Sequence, residues 1–510
     1  MNIRNILWYL GIFLLVEGIL SILPVIIALY YHEPYQPYLM GVVLSIITGS
    51  ILMRFPRVEL NFGDAMILSS VALIILSFFG ALPFFNILNG NQIDILIDGY
   101  FESVSGYSTT GLTVLPSDMY AINSKYYHAL IFKRTMSEWI GGLGIVILFL
   151  SILAKGGMSS VYLYKMTEGF ERLTPSVERT ARIILRIYIF YTLVGIMLLW
   201  VSGLDLFHSL CTVMSTIATG GFIGSVFKIN SMYLGINVIN QSIIIIIMLI
   251  AAVPFTLHYD LLSGKIEQFF NNIEIKALIG ILFISILMFL SFLWLHGIEI
   301  NCGIIFQTIL GTISTITTTG YSGGSIIDGK GLQYAGDIER FLLFILMIIG
   351  ACAGSTGGGI KQIRLSVMIK AIQWSIRRLS LPESAIVPFK ICEKVWSDKE
   401  LKTITLFFFI YMVIIGFGFS VMILHNIEPM QALLLSSSSL GTNGLSGIDI
   451  RTQPLDVKII LIFQMIAGRL EIFPVLALLG YISGKLQRRV MEERDELERR
   501  VRFIKKHDGD

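Results

Sequence analysis

The feature that most restricts how this chain can fold is the recurrence of apolar runs close to the length of a membrane span, separated by short polar or charged stretches. A helix needs about 20 residues to cross the roughly 30 Å hydrocarbon layer of a bilayer. Candidate spans lie at 6–30, 38–53, 65–86, 130–154, 183–203, 237–258, 275–297, 338–353 with its continuation, 403–425 and 456–484. These make about ten spans, all expected to be helical because lipid-exposed backbone must satisfy its hydrogen bonds internally. Composition agrees: 55% of the 510 residues are hydrophobic and 14% are charged, with a mean hydropathy of +0.76. That is more apolar surface than a water-soluble core absorbs. The expected class is an all-α polytopic membrane protein. The first apolar run is too long for a signal-peptide h-region and lacks a convincing cleavage site, so it reads as the first helix.

Basic residues orient the chain. With Met1 inside, the inner segments are 54–64, 155–182, 259–276, 361–402 and the tail from 485. Together with Arg4 and Arg186 these hold 29 of the 38 Lys and Arg, against eight on the other side. This positive-inside bias predicts cytoplasmic N- and C-termini and a multi-pass protein of the cytoplasmic (inner) membrane. The net charge of +3 adds little, and nucleic acid is not an expected partner. Cys211, Cys302, Cys352 and Cys392 form no CxxC, so neither a disulfide framework nor a metal cluster is indicated.

Within this array one short motif occurs four times: "VSGYSTTGLTV" (104–114), "MSTIATGGFIG" (214–224), "ISTITTTGYSG" (313–323) and "SSSLGTNGLSG" (437–447). Aligned on Gly111, Gly221, Gly320 and Gly444, each copy has serine six residues upstream (Ser105, Ser215, Ser314, Ser438). Each also has threonine two residues upstream (Thr109, Thr219, Thr318, Thr442) and a bulky residue after the glycine (Leu112, Phe222, Tyr321, Leu445). Apolar segments too short to span precede every copy, with Asp94, Asp205, Asn301 or Glu428 near their starts; Asp and Asn are good N-cap types. Re-entrant half-helices are expected there, each followed by an extended return. Irregular backbone at membrane depth is tolerated only inside protein or along a water-filled path. The predicted unit is therefore helix, half-helix, loop, helix, used four times in a pseudo-fourfold arrangement.

Four such loops meeting on an axis present rings of backbone carbonyls able to replace the water of a cation. Glycine permits φ > 0 and close approach of chains, threonine and serine add oxygens, and the half-helix C-termini aim partial negative charge at the same point. The loops carry no carboxylate cluster of the kind a divalent cation wants, so a monovalent cation is expected.

The four segments resemble the filter segments of the Trk/Ktr/HKT superfamily of potassium transporters. Further motifs of that family are matched by "SEWIGGLGIVIL" (137–148), "GACAGSTGGGIKQIR" (350–364) and "AGRLEIFPVL" (467–476). The extra N-terminal helix pair points to its TrkH-like branch. The chain departs from the family pattern at Asn443, where an aliphatic residue is expected. The resemblance implies K⁺ as substrate, no bound cofactor, no enzymatic activity, and a homodimer in the bilayer. It also implies a cytoplasmic ring of nucleotide-binding, TrkA-like regulatory subunits. It assigns K⁺ to Thr109, Thr110 and Gly111; Thr219, Gly220 and Gly221; Thr318, Thr319 and Gly320; and Thr442, Asn443 and Gly444. The expected division is 1–60 (N-terminal helix pair), 61–160, 161–265, 266–375 and 376–484 (four pore repeats) and 485–510 (cytoplasmic tail). Whether passage is an open pore or is coupled to H⁺ or Na⁺ stays open.

Two further features bear on gating. The segment "GACAGSTGGGIK" has Gly350, Gly354, Gly357, Gly358 and Gly359 in the third repeat's second span. Each interior glycine costs a helix about 1 kcal/mol against alanine, so a break is expected there. The resemblance makes Gly354, Ser355, Thr356, Gly357, Gly358 and Gly359 a gating loop below the filter; close helix packing through small residues is the plainer alternative. It is not a Walker A, because Ile360 separates Gly359 from Lys361. Arg469 is the second. A guanidinium near mid-membrane costs at least ~2.5 kcal/mol and marks a pathway, here as a positive barrier to cations, with a buried ion pair to Glu471 or another acid as the alternative. Asp98, Glu102 and Glu138 are expected toward the outer mouth, as cation attractors or structural groups. The alternating charges of the tail predict a cytosolic helix.

Two rival classes were weighed. A membrane enzyme needs an acid pair, a metal cluster or a nucleophile with its base, and none is evident. A secondary transporter of another solute normally has two related halves rather than four quarters.

Overall fold

The computed structural model describes residues 4–484 except 59, 61, 117, 120–123, 154–176, 223–237, 322–335, 383–386 and 392–393. The predicted tail helix and most of the 155–182 loop lie outside the described residues. Among the described residues the regular structure is helical apart from two antiparallel two-residue strands, β1 (Lys390–Ile391) and β2 (Lys394–Val395).

The N-terminal pair is α1 (Arg4–Leu20) with α2 (Ile22–Tyr30), followed by α3 (Gln36–Leu52). The first two make one span, Ile6–Tyr30, interrupted at Ser21. Helices α1 and α3 cross backbone to backbone: a Cβ on Gly11 would lie 2.8 Å from the Gly49 carbonyl oxygen, and one on Gly49 would lie 2.9 Å from that of Gly11. Small residues at such crossings replace the hydrophobic drive that lipid removes. The pair is fastened to the rest of the molecule by a buried ion pair, Lys133 Nζ to Glu17 Oε1 at 2.9 Å.

Four units follow. The first has α4 (Phe62–Ile87), the half-helix α5 (Gln92–Tyr107) and α6 (Tyr127–Leu153). The second has α7 (Val177–Val201), half-helix α8 (Leu206–Ile217), and α9 (Val238–Ala252) bent into α10 (Phe255–Leu262), with the short α11 (Ile266–Asn271) after it. The third has α12 (Ile273–Leu295), half-helix α13 (Cys302–Ile316), α14 (Asp337–Ile349) and α15 (Gln362–Leu379). The fourth has α16 (Asp398–Leu424), half-helix α17 (Pro429–Leu440) and α18 (Leu455–Arg469) bent into α19 (Phe473–Gly484).

The half-helices have 16, 12, 15 and 12 residues, about 18–24 Å at 1.5 Å per residue, too short to span. Their N-caps refine the expectation. Asp205 and Asn301 do cap, accepting from the His208 and Ile304 amides at 3.1 and 2.9 Å. Asp94 instead lies in the first turn of α5, whose N-cap is Asn91, and Glu428 at the start of α17 makes no side-chain cap. The long helices α7, α12 and α16 turn apolar faces outward, with Leu193, Phe283 and Phe409 all more than 60% exposed, as a hydrocarbon solvent allows.

The break predicted in the third repeat has counterparts the sequence reading did not anticipate: in the second repeat α9 and α10 meet at 106°, and in the fourth α18 and α19 at 115°. Proline explains both, because it donates no N–H to the preceding turn and fits the first turn of a new helix. Pro254 is the N-cap of α10, and Pro474 is the second residue of α19, just after Glu471 and Ile472 at φ 59° and 65°. The apolar runs read straight through both corners.

Candidate functional site

The four repeated segments share one backbone geometry. Each half-helix ends with its C-cap at Ser108, Ala218, Thr317 or Gly441. The next residue is the repeated threonine, and all four are left-handed: Thr109 at φ 54°, Thr219 at 52°, Thr318 at 58° and Thr442 at 50°. Their amides donate to Gly106, Thr216, Thr315 and Ser439 at 2.9, 3.0, 3.2 and 3.3 Å. The following amides, of Thr110, Gly220, Thr319 and Asn443, reach back to the carbonyls of Ser105, Ser215, Ser314 and Ser438 at 2.9, 2.9, 2.9 and 2.8 Å. This pair of bonds is the Schellman motif, with threonine where glycine is usual. The serine column thus marks the last turn of each half-helix, and the threonine column marks a strained residue. A β-branched side chain at φ > 0 costs of order 1–3 kcal/mol and persists where surroundings over-determine it. Two residues on, Gly111, Gly221, Gly320 and Gly444 return to positive φ at 82°, 91°, 77° and 89°.

Those glycines close a ring. A Cβ on Gly111 would run into the carbonyl oxygen of Gly220, one on Gly221 into that of Thr319, one on Gly320 into that of Asn443, and one on Gly444 into that of Thr110. Each segment therefore lies against the next, and the fourth meets the first. The twelve expected residues, Thr109 to Gly111, Thr219 to Gly221, Thr318 to Gly320 and Thr442 to Gly444, come together around one axis. Threonine and asparagine side chains among them are fully buried, and the hydroxyls of Thr109 and Thr442 have no partner among the described residues.

The three acidic residues are all engaged by neighbouring groups, Glu102 and Glu138 fully buried and Asp98 half-buried. Glu102 is fully buried, accepting from Arg134 Nε at 2.7 Å and from the Thr113 hydroxyl and Val114 amide at 3.0 and 3.2 Å. Asp98 accepts from Lys458 at 2.6 Å. Glu138 accepts from the Phe222 amide at 2.9 Å. Arg134 also covers the Phe222 ring, 4.1 Å from its centroid. The expectation of free outer attractors is corrected: these carboxylates fix loops and neighbouring helices.

The glycine-rich segment between α14 and α15 is non-helical, with Gly350, Gly354 and Gly359 at φ 70°, 69° and 81°. It lies against the inner ends of the half-helices. The Gly358 amide donates to the Thr318 hydroxyl at 2.8 Å, and the Thr356 hydroxyl to the Ile217 carbonyl at 3.0 Å. A Cβ on Gly358 would strike Thr442 Oγ1 and the Gly441 carbonyl. On its other side the segment borrows the α9–α10 corner: Cys352 and Thr356 amides donate to Ala252 and Ala251 at 3.1 and 3.3 Å, and Phe255 donates to Gly354 at 3.1 Å. Glu274 accepts from the Ala353 amide at 3.0 Å, and Lys361 Nζ bonds the Gly357 carbonyl.

Arg469 meets this segment. Its guanidinium donates to the Thr356 carbonyl at 2.6 Å and to that of Gly141 at 2.8 Å. Glu471 pairs with Arg364 instead, so the alternative of an Arg469–Glu471 bridge is not the arrangement found. Sequence reasoning missed Glu274, Lys361 and the Phe222 clamp. The unusual density of charge in 133–138 of an apolar helix was the one signal available.

Comparison with known proteins follows this geometry. The family described as TrkH, cation transport protein, matches residues 36–487. An uncharacterized cation transporter of Methanocaldococcus jannaschii is 31% identical over 494 residues, covering 96% of this chain and 97% of the relative. The Trk system potassium uptake protein TrkH of Escherichia coli K12 is 28% identical over 498 residues, covering 94% and 98%. The crystal structure of the potassium transporter TrkH from Vibrio parahaemolyticus superposes with a TM-score of 0.79 at 25% identity, covering 94% of this chain and 99% of that one.

Proposed function

The chain belongs to the TrkH family of cation transport proteins, and on that premise we propose that it takes up potassium through a pore along the axis of its four glycine segments. One observation carries the reading: the cyclic contact of Gly111, Gly221, Gly320 and Gly444 with the next segment's carbonyl. Carbonyls held in such a ring substitute for the hydration shell of K⁺. Four half-helix C-termini, each worth roughly −0.5 charge, favour a cation at the same point. None of the twelve ring residues is ionisable, which supports passage down the electrochemical gradient over coupling to protons.

In this reading Gly354 to Gly359 are the gate and Arg469 is its latch. The segment lies against the half-helix ends, and the arginine places a positive charge beside it with no carboxylate among its hydrogen-bond partners within the described residues. Opening requires the segment to leave the half-helix ends. The basic inner flanks support an inner-membrane protein with both termini in the cytoplasm. A homodimer and a cytoplasmic nucleotide-binding ring complete the proposal by family resemblance, and the division of the chain at 60, 160, 265, 375 and 484 follows its repeats.

The test is ion flux from the purified chain in liposomes. Rb⁺ uptake driven by a K⁺ gradient, tracking membrane potential and competed by K⁺, is expected. Uptake that follows an imposed proton or sodium gradient instead would overturn the pore, and absence of cation flux alongside uptake of another solute would overturn the assignment.

A further inference from the structure

The ring is fourfold in its main chain but not in what stands behind it. In the first segment the hydroxyls of Ser108 and Thr110 lie 2.7 Å apart, and in the third those of Thr317 and Thr319 lie 2.9 Å apart. Each pair joins the half-helix C-cap to the residue before the ring glycine, so these segments are braced from within. The second and fourth have Ala218 and Gly441 at the C-cap, and neither residue carries a hydroxyl. Because the ring runs in chain order, the two kinds of segment alternate around it.

The neighbouring repeat supplies what is missing. At the second segment the residue before the ring glycine is Gly220, and its side-chain space holds the Glu138 carboxylate from α6: a Cβ there would overlap Glu138 Cδ. The same carboxylate accepts the Phe222 amide at 2.9 Å. At the fourth segment the residue is Asn443, whose Nδ2 donates to the Thr315 carbonyl of α13 at 2.8 Å. Turning the amide over would set two oxygens against each other, so the donor is fixed by its partner. Both side chains are fully buried, where a lost partner is most costly.

We infer that Glu138 and Asn443 are positioning residues for ion selection, each linking to an adjacent repeat a filter segment that lacks its own hydroxyl pair. The inference rests on the proposed filter. It accounts for the double glycine of the second segment, where the carboxylate needs the room, and for asparagine in the fourth.

The experiment is the K⁺/Na⁺ permeability ratio from reversal potentials of the full chain in liposomes. Glu138→Ala and Asn443→Ala are each expected to lower the ratio roughly tenfold, about 1.4 kcal/mol of discrimination. Glu138→Gln keeps an acceptor of the same size for the Phe222 amide and is expected to recover most of the ratio. Should Asn443→Ala not fold, Asn443→Asp serves: it keeps the shape but turns an oxygen toward Thr315, and it too must lower the ratio. A ratio unchanged in the alanine variants overturns the bracing role, as does Glu138→Gln behaving like Glu138→Ala. Gly444→Ser run alongside separates the two readings. If it collapses selectivity while the brace variants do not, the filter stands and the braces fall; if it too leaves selectivity unchanged, the filter itself is wrong.

Discussion

The ring segments and the segment 350–361 are both rich in glycine and both buried, yet they are held in opposite ways. Each ring segment satisfies its first amides within its own half-helix, through the paired bonds to Ser105, Ser215, Ser314 or Ser438 and the residue after. The segment 350–361 closes some amides on itself and its flank, Ala351 to Gly358 and Ile360 to Ile348, but adds partners from three different repeats: Ala251 and Ala252, Ile217, Thr318, Glu274 and Arg469. Its seat exists only while all of those groups stay together. The ring segments are thus closed first by their own half-helices, whereas the segment 350–361 is fastened across repeats.

This contrast is open to direct attack. The largest effect is expected from Gly320→Ser, since a Cβ there runs into the Asn443 carbonyl and φ of 77° disfavours any side chain. The K⁺/Na⁺ permeability ratio should fall roughly a hundredfold, about 2.8 kcal/mol; an unaltered ratio would remove this glycine from ion selection. Next comes Arg469→Ala. At an effective dielectric of about 20, a unit charge one Debye length (about 8 Å) from a passing cation repels it by about 2 kcal/mol, roughly 30-fold in rate. K⁺ flux should rise by that order with the permeability ratio kept, and flux no faster than the parent chain argues against the barrier. The smallest is Thr356→Val, which keeps the shape but loses the hydroxyl bonds to Ile217 and Ala251. Losing about 1 kcal/mol of seating should raise basal flux about fivefold. If it shifted selectivity instead, the separation of the two regions would be wrong.

Much of this architecture was legible in the residues. The glycine and threonine columns located all four half-helix ends, because the left-handed turn and the close approach of main chains each demand particular residue types at fixed spacing. The break in the third repeat followed from five glycines in one span. What escaped notice depended on partners far away in the chain. Glu102 and Arg134 are 32 residues apart and Asp98 and Lys458 are 360 apart, so no local pattern announces that these charges neutralise one another. Pro254 and Pro474 were in plain view, but hydropathy is blind to direction, and an apolar run reads the same whether the helix continues or turns a corner. The serines were credited with supplying oxygens to an ion. Their carbonyls close the half-helix, a role the sequence reading did not give them, and the side chains of Ser105, Ser314 and Ser438 have no partner among the described residues.

The contact between Gly444 and Thr110 has a consequence for biosynthesis. The first ring segment is complete soon after its residues leave the ribosome, yet the surface it offers to the fourth stays uncovered until more than three hundred further residues have been made. A nascent chain stalled anywhere in between holds an unclosed ring, whose irregular main chain a bilayer interior does not tolerate unless protein covers it. Such a fragment is poorly suited to persist in the bilayer, so a half-built ring is disfavoured by the order in which its pieces arrive.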